Sequence, residues 1–104
     1  MDYQLKDLSG NVALITGATS GIGKSTAFAL TTLGVKLVLN ARNPSKLQGV
    51  VEQLGLDNSV GVVGDCSDPR VTSRMADLAI QRFGKIDSVI ANAGVGFFGS
   101  ILDG

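Results

Sequence analysis

Four apolar runs separated by three stretches of helical periodicity predict an α/β fold: a partial, doubly wound parallel sheet of four strands, order 3-2-1-4, with three helices. A second observation agrees. Asn43-Pro44 and Asp68-Pro69 each place an N-capping residue before a proline, the signature of a helix start, shortly after an apolar run. A third is the glycine-spaced segment Thr16-Gly17-Ala18-Thr19-Ser20-Gly21-Ile22-Gly23, which joins the first apolar run to the first helical stretch. Parallel neighbours need crossover connections, almost always right-handed, and strand–helix alternation supplies them.

Taken in order, Ser9-Gly10-Asn11 supplies turn chemistry, and Val12-Ala13-Leu14-Ile15 follows as a strand apolar on both faces. Gly23 to Leu33 carries Ala27, Ala29, Leu30 and Leu33 at helical spacing, with Gly34 placed for a left-handed cap. Val35 to Ala41 is the second strand. The second helix starts at Asn43-Pro44, presents Leu47, Val50, Val51 and Leu54 on one face, and closes at Gly55. Val60-Gly61-Val62-Val63 is the third strand, whose existence is clear and whose length its glycine leaves open. The third helix runs from Asp68-Pro69 to Phe83 with Val71, Met75, Leu78, Ala79 and Phe83 on one face, and Gly84 ends it. Ile86 to Ala91 is the fourth strand, interrupted by Asp87-Ser88, and its outer edge is expected to lie unpaired, a site for association. Val95 to Gly104 reads as loop with an apolar pair, Ile101-Leu102.

The totals narrow the function. At 104 residues the chain is a single domain, 1–104, short for its pattern. Lysine plus arginine equal aspartate plus glutamate at nine each, so no global field draws it to nucleic acid or an anionic membrane. The sequence contains no histidine, which argues against zinc hydrolase and Ser-His-Asp chemistry. Its lone cysteine, Cys66, excludes an internal disulfide. The first ten residues lack the apolar core of a signal peptide, so the expected location is cytoplasmic.

The glycine turn points to an anion. Backbone N–H groups in the first turn of a helix have no internal partner, and the peptide dipoles add positive potential there. A plain tight turn is the bland alternative. A nucleotide triphosphate loop is another, since Ala18-x-x-x-x-Gly23-Lys24-Ser25 differs from its pattern only at Ala18, where glycine is required. In a doubly wound sheet the ligand crevice lies where the strand order reverses, here between the first and fourth strands. NAD-binding folds carry an acid about twenty positions past the glycine turn, to hold the ribose 2′-hydroxyl. This sequence has Asn40-Ala41-Arg42-Asn43 there, and the guanidinium of Arg42 suits a 2′-phosphate, so NADP is expected.

With these residues in view, the chain resembles the N-terminal, cofactor-binding half of a short-chain dehydrogenase/reductase. Thr16 to Gly23 is similar to that family's TGxxxGIG turn, Asp65 resembles its adenine-contacting aspartate, and Asn92-Ala93-Gly94 its NAG motif. The resemblance implies a Rossmann-type sheet and NADP(H)-dependent hydride transfer between nicotinamide and a carbonyl or alcohol substrate. The implied cofactor contacts are Gly17, Thr19, Ser20, Gly21, Ile22, Gly23, Arg42, Asp65, Cys66, Asn92, Ala93 and Gly94. Asp65 as a helix lead-in, and Asn92-Ala93-Gly94 as a strand-ending turn, are the structural alternatives. Phe97 and Phe98 fit either the nicotinamide end or a cover for the core.

The family's catalytic serine, tyrosine and lysine lie beyond the NAG motif. Tyr3, the only tyrosine, has Asp7 rather than lysine four residues on, and Ser88 and Ser100 fall too early. No catalytic residue is therefore assigned, and the 104 residues alone are expected to be inactive. The complete enzyme is expected to be a homo-oligomer. The rival reading is a non-catalytic NADP-binding or interaction module that pairs through the edge of its fourth strand.

Overall fold

Strands Val12–Ile15 (β1), Lys36–Ala41 (β2), Ser59–Val63 (β3) and Ser88–Ala91 (β4) alternate with helices Gly21–Thr32 (α1), Pro44–Leu54 (α2) and Pro69–Phe83 (α3), and a short strand, Gly99–Ser100 (β5), follows. The computed structural model describes residues 8–92 and 99–100. The sheet order is β3-β2-β1-β4-β5, with the first four strands parallel as expected. Ile15 stands level with Leu39 on one side and Ile90 on the other, so the C-terminal ends of the central strands form one edge.

Successive strand residues point to opposite faces, which divides the core in two. Ala13, Ile15, Leu37, Leu39 and Ala41 pack with Ala27 of α1 and with Leu47, Val50, Val51 and Leu54 of α2. Val12, Leu14, Val38 and Val62 pack with Met75 and Ala79 of α3. Handedness explains the division. Stepping outward from β1 to β2 to β3 puts both crossover helices on one face, and returning to β4 puts α3 on the other.

Several expectations need correction. β4 does not have a bare edge: β5 pairs with it antiparallel, Ser100 opposite Ile90 and Gly99 opposite Ala91. The backbone groups expected to await another chain are met at those positions by the chain itself, which removes the basis for an interaction edge there. β4 also begins at Ser88 rather than Ile86, because Asp87 is tied to the start of β1. The Val12 N–H donates to Asp87 Oδ2 at 2.8 Å, and the Asp87 N–H donates to the Val12 carbonyl at 2.8 Å. The Val12 N–H, and secondarily Lys85, holds the Asp87 carboxyl below its ordinary value against a smaller opposing effect of desolvation. Gly61 has a packing role: a Cβ there would stand 3.0 Å from Leu47 Cδ2 and 3.4 Å from Val51 Cγ2, so its absence lets α2 settle on β3.

Candidate functional site

The first four strands are parallel, so the segments leaving β1, β2, β3 and β4 emerge along one edge. The glycine turn occupies the gap after β1. Gly17 takes a left-handed backbone, φ +64°, and its carbonyl accepts from the Ser20 hydroxyl at 2.9 Å and from Asn92 Nδ2 at 3.3 Å. Asn92 Nδ2 also lies 3.2 Å from Ser20 Oγ, and the Asn92 N–H donates to Thr16 Oγ1 at 3.0 Å. On the other side the Ala18 N–H donates to the Asn40 carbonyl at 2.9 Å. The turn is thus held between β2 and β4.

The three glycines differ in purpose. A Cβ on Gly17 would run into the Asn92 carbonyl, and one on Gly23 would run into the Gly17 carbonyl and stand 2.6 Å from Asn92 Nδ2. Both are required by packing within the protein. A methyl group on Gly21 would meet nothing within 4 Å; this glycine opens outward, beside Ile22, whose side chain is 75% exposed. α1 begins at Gly21, two residues before the expected start, with Ser20 as its N-cap residue. Ser20 makes no side-chain cap bond, and the first turn holds no acid. Ala18, where a triphosphate loop requires glycine, is wholly buried.

At the end of β2, Arg42 is exposed, and its charge contributes to holding the Asp65 carboxyl below its ordinary value. The larger causes are the backbone N–H and the hydroxyl of Ser67, which donate to Asp65 Oδ1 at 2.9 and 2.8 Å. Asp65 therefore makes the lead-in turn of α3. Cys66 beside it is half-buried. Thr19 lines a cleft of about 340 Å³ between the turn and α2, together with Lys24, Lys46, Gly49 and Gln53. A larger depression, about 530 Å³, lies along α3 and includes none of the predicted site residues. Ala93, Gly94, Phe97, Phe98 and Tyr3 lie outside the described residues. Among the described residues no helix is long and apolar enough to cross a membrane.

Sequence reasoning missed Asn40. Only 2% exposed, it donates from Nδ2 to the carbonyls of Val62 at 3.0 Å and Gly64 at 2.9 Å, fixing the exit of β3 against β2. Its signal is a polar residue inside the otherwise apolar run Leu37 to Ala41.

This arrangement defines a class: a doubly wound α/β domain of Rossmann type with an open helix end where its strand order reverses. The family follows from comparison. The sequence profile of the short chain dehydrogenases matches residues 11–103, and the chain belongs to that family, a family of oxidoreductases. It is 38% identical over 90 residues to an uncharacterized oxidoreductase of Listeria monocytogenes, covering 85% of this chain and 36% of that protein. The chain thus spans about a third of the length of that relative. L-sorbose reductase from Gluconobacter frateurii, solved with NADPH and L-sorbose, superposes with a TM-score of 0.77 at 30% identity, over 95% of this chain and 40% of that one. The 3-ketoacyl-(acyl-carrier-protein) reductase of Brucella melitensis, solved with NADH, gives a TM-score of 0.73 at 34% identity, over 79% and 33%.

Proposed function

We propose that residues 1–104 form a single dinucleotide-binding unit, the cofactor half of an NADP(H)-dependent oxidoreductase that exchanges hydride between nicotinamide and a carbonyl or alcohol. The observation that carries the NADP assignment is Arg42: it stands exposed past β2, where an NAD site needs an acid. The residues fit a dinucleotide in two further respects. The outward-opening Gly21 leaves room for a ligand against the main chain, and α1 presents its first N–H groups without a side-chain cap.

In this reading Ser20, Gly21 and Ile22 receive the diphosphate at the start of α1. Gly17 and Gly23 shape the turn, and Thr19 borders it. Arg42 clamps the 2′-phosphate through its planar fork. Asp65 and Cys66 border the adenine, with Asp65 Oδ2 available as an acceptor because both Ser67 bonds fall on Oδ1. Asn92 stands at the ribose side, continued by Ala93 and Gly94. The dinucleotide, when bound, supplies the hydride chemistry. The complete enzyme is cytoplasmic and homo-oligomeric in this proposal, and the serine, tyrosine and lysine that handle the proton come from beyond residue 104.

Titration of the chain with NADPH and NADH tests the reading, with tighter NADPH binding as the expected result. Arg42→Asp should weaken NADPH by roughly tenfold to a hundredfold, the scale of charge-assisted hydrogen bonds, and reverse the preference. An unchanged ratio would defeat the NADP assignment. The 104 residues alone should not oxidise NADPH with any of a panel of carbonyls, and turnover by them would defeat the assignment of catalysis to a later segment.

A further inference from the structure

Ser20 is an N-cap residue that does not cap. Its backbone has the usual N-cap conformation, φ −86° and ψ 164°, in which a serine hydroxyl ordinarily accepts from the second or third N–H of the helix. Here those groups belong to Ile22 and Gly23, and neither receives the Ser20 side chain. The hydroxyl is turned back instead: it donates to the Gly17 carbonyl at 2.9 Å and accepts from Asn92 Nδ2 at 3.2 Å. The Asn92 amide lies against the same turn, since a Cβ on Gly23 would stand 2.6 Å from its nitrogen.

We propose that Asn92 is a positioning residue that keeps the Ser20 hydroxyl away from the start of α1, so that the helix cannot cap itself and its first N–H groups stay available to an anionic ligand. The proposal rests on the dinucleotide reading and deepens it. Released from Asn92, the Ser20 hydroxyl reaches the Ile22 or Gly23 N–H by a rotation about χ1 that exchanges its bond to the Gly17 carbonyl for a capping bond, the backbone being already in place. A self-capped helix then competes with the diphosphate for the same donors. The competition is intramolecular, so it acts at every ligand concentration as a fixed loss of affinity.

The test is a double-mutant cycle read by dissociation constants for NADPH and NADH and by thermal midpoint. Asn92→Ala should weaken both dinucleotides by about fivefold to tenfold, the scale of one capping bond. Ser20→Ala removes the competitor together with any direct contact of the hydroxyl with the ligand, so its own affinity is the reference for the cycle. The double variant should bind within about threefold of Ser20→Ala while keeping the lowered thermal midpoint of Asn92→Ala. A double variant weaker than Ser20→Ala by the full fivefold to tenfold overturns the proposal, since a simple brace between β4 and the turn predicts that result. Ser20→Asn, a neutral cap of similar strength whose longer side chain cannot keep the serine's bonds to Gly17 and Asn92, serves if Asn92→Ala does not fold: it should raise the thermal midpoint and weaken both dinucleotides, and wild-type affinity with a raised midpoint overturns the proposal. Wild-type protein that binds neither dinucleotide overturns the dinucleotide reading, and the proposal with it. Wild-type binding without rescue overturns the proposal alone.

Discussion

α3 and α1 both begin just beyond a strand, on the same edge of the sheet, yet they are finished in opposite ways. α3 is closed: Asp68 accepts from the Arg70 N–H at 2.9 Å, a proline fills the first turn, and Arg70 folds back to pair with Asp68 Oδ2 at 2.9 Å. α2 is closed in the same manner by Asn43, which accepts from the Lys46 N–H at 3.0 Å, with Pro44 behind it. α1 has neither device. Its cap residue is held by partners outside the helix, and its first turn carries glycine where the others carry proline. Two helices that only fold are sealed by residues two or three positions away, and the one proposed to bind is left open by a residue from the end of β4. The difference teaches that an incomplete cap can itself be a built feature.

The strongest challenge to this contrast is at the glycines. Gly17→Ala adds a methyl against the Asn92 carbonyl on a left-handed backbone, and Gly23→Ala places one against the Gly17 carbonyl. Each should cost about 1–3 kcal/mol or more in urea unfolding and abolish dinucleotide binding. Gly21→Ala, with open space around it, should leave stability nearly unchanged while weakening the ligand. Equal stability of all three variants would remove the distinction between packing glycines and a ligand-facing one. Next in size is Asn40→Leu, which strips one buried and one part-buried carbonyl of their donor and should destabilise by about 2–3 kcal/mol. A variant as stable as wild type would mean that water replaces the amide.

Smaller effects test the caps directly. Asn43→Ala and Asp68→Ala should each cost about 1 kcal/mol, and Ser20→Ala clearly less, because no capping bond is lost at α1. Equal losses at all three sites would make the open helix no different from the closed ones. The gentlest test is pH. Asp68 is held below its ordinary carboxylate value of 3.8 by the Arg70 side chain first and the Arg70 N–H second, and Asp87 by the Val12 N–H first. Carboxylates depressed in the folded state contribute stability that is complete above their unfolded value and is lost as pH falls through the folded one. The denaturation midpoint should therefore be level from pH 7 to roughly pH 5 and fall below about pH 4, less steeply in Asp68→Ala and Asp87→Ala. Since α1 starts without a carboxylate, its opening should not follow that profile, which amide exchange across Ile22 to Ser25 can check.

Legibility in the sequence follows the reach of each interaction. The caps at Asn43 and Asp68, their prolines, and the apolar faces of α2 and α3 lie within windows of a few residues, and the structure has each where the sequence predicts it, whereas in α1 Ala29 and Leu33 of the expected apolar set are exposed and Gly23 and Ala27 are the buried residues. Four strands, their order and the position of the glycine turn follow from that local pattern together with the handedness of crossovers. What cannot be read locally joins distant residues: Asn40 to Val62 and Gly64, 22 and 24 residues on, and Val12 to Asp87, 75 residues on. Those pairings depend on the register of parallel strands, which no single window encodes. In the sequence Asp87 looks like an interruption of a strand, whereas its carboxylate completes the hydrogen bonding where β1 begins. β5 escapes sequence reading because a two-residue strand carries no periodicity. At the site, glycine spacing identifies the turn, but the reason for two of the three glycines is a residue from the far end of the described fold.

The bond from Asn92 to Gly17 spans 75 residues, and this sets an order of events as well as a shape. Synthesis at about 5–20 residues per second leaves on the order of 4–15 s between the emergence of the two partners. Through that interval the turn exists as sequence without its brace, and Ser20 has no Asn92 to hold it. Closing so long a loop is costly in entropy, so the contact forms late, after β2 has joined β1 and β3 has joined β2. The turn, made well before the residue that braces it, is thus late to take its final form, and a nascent chain should acquire the proposed anion site only when β4 docks.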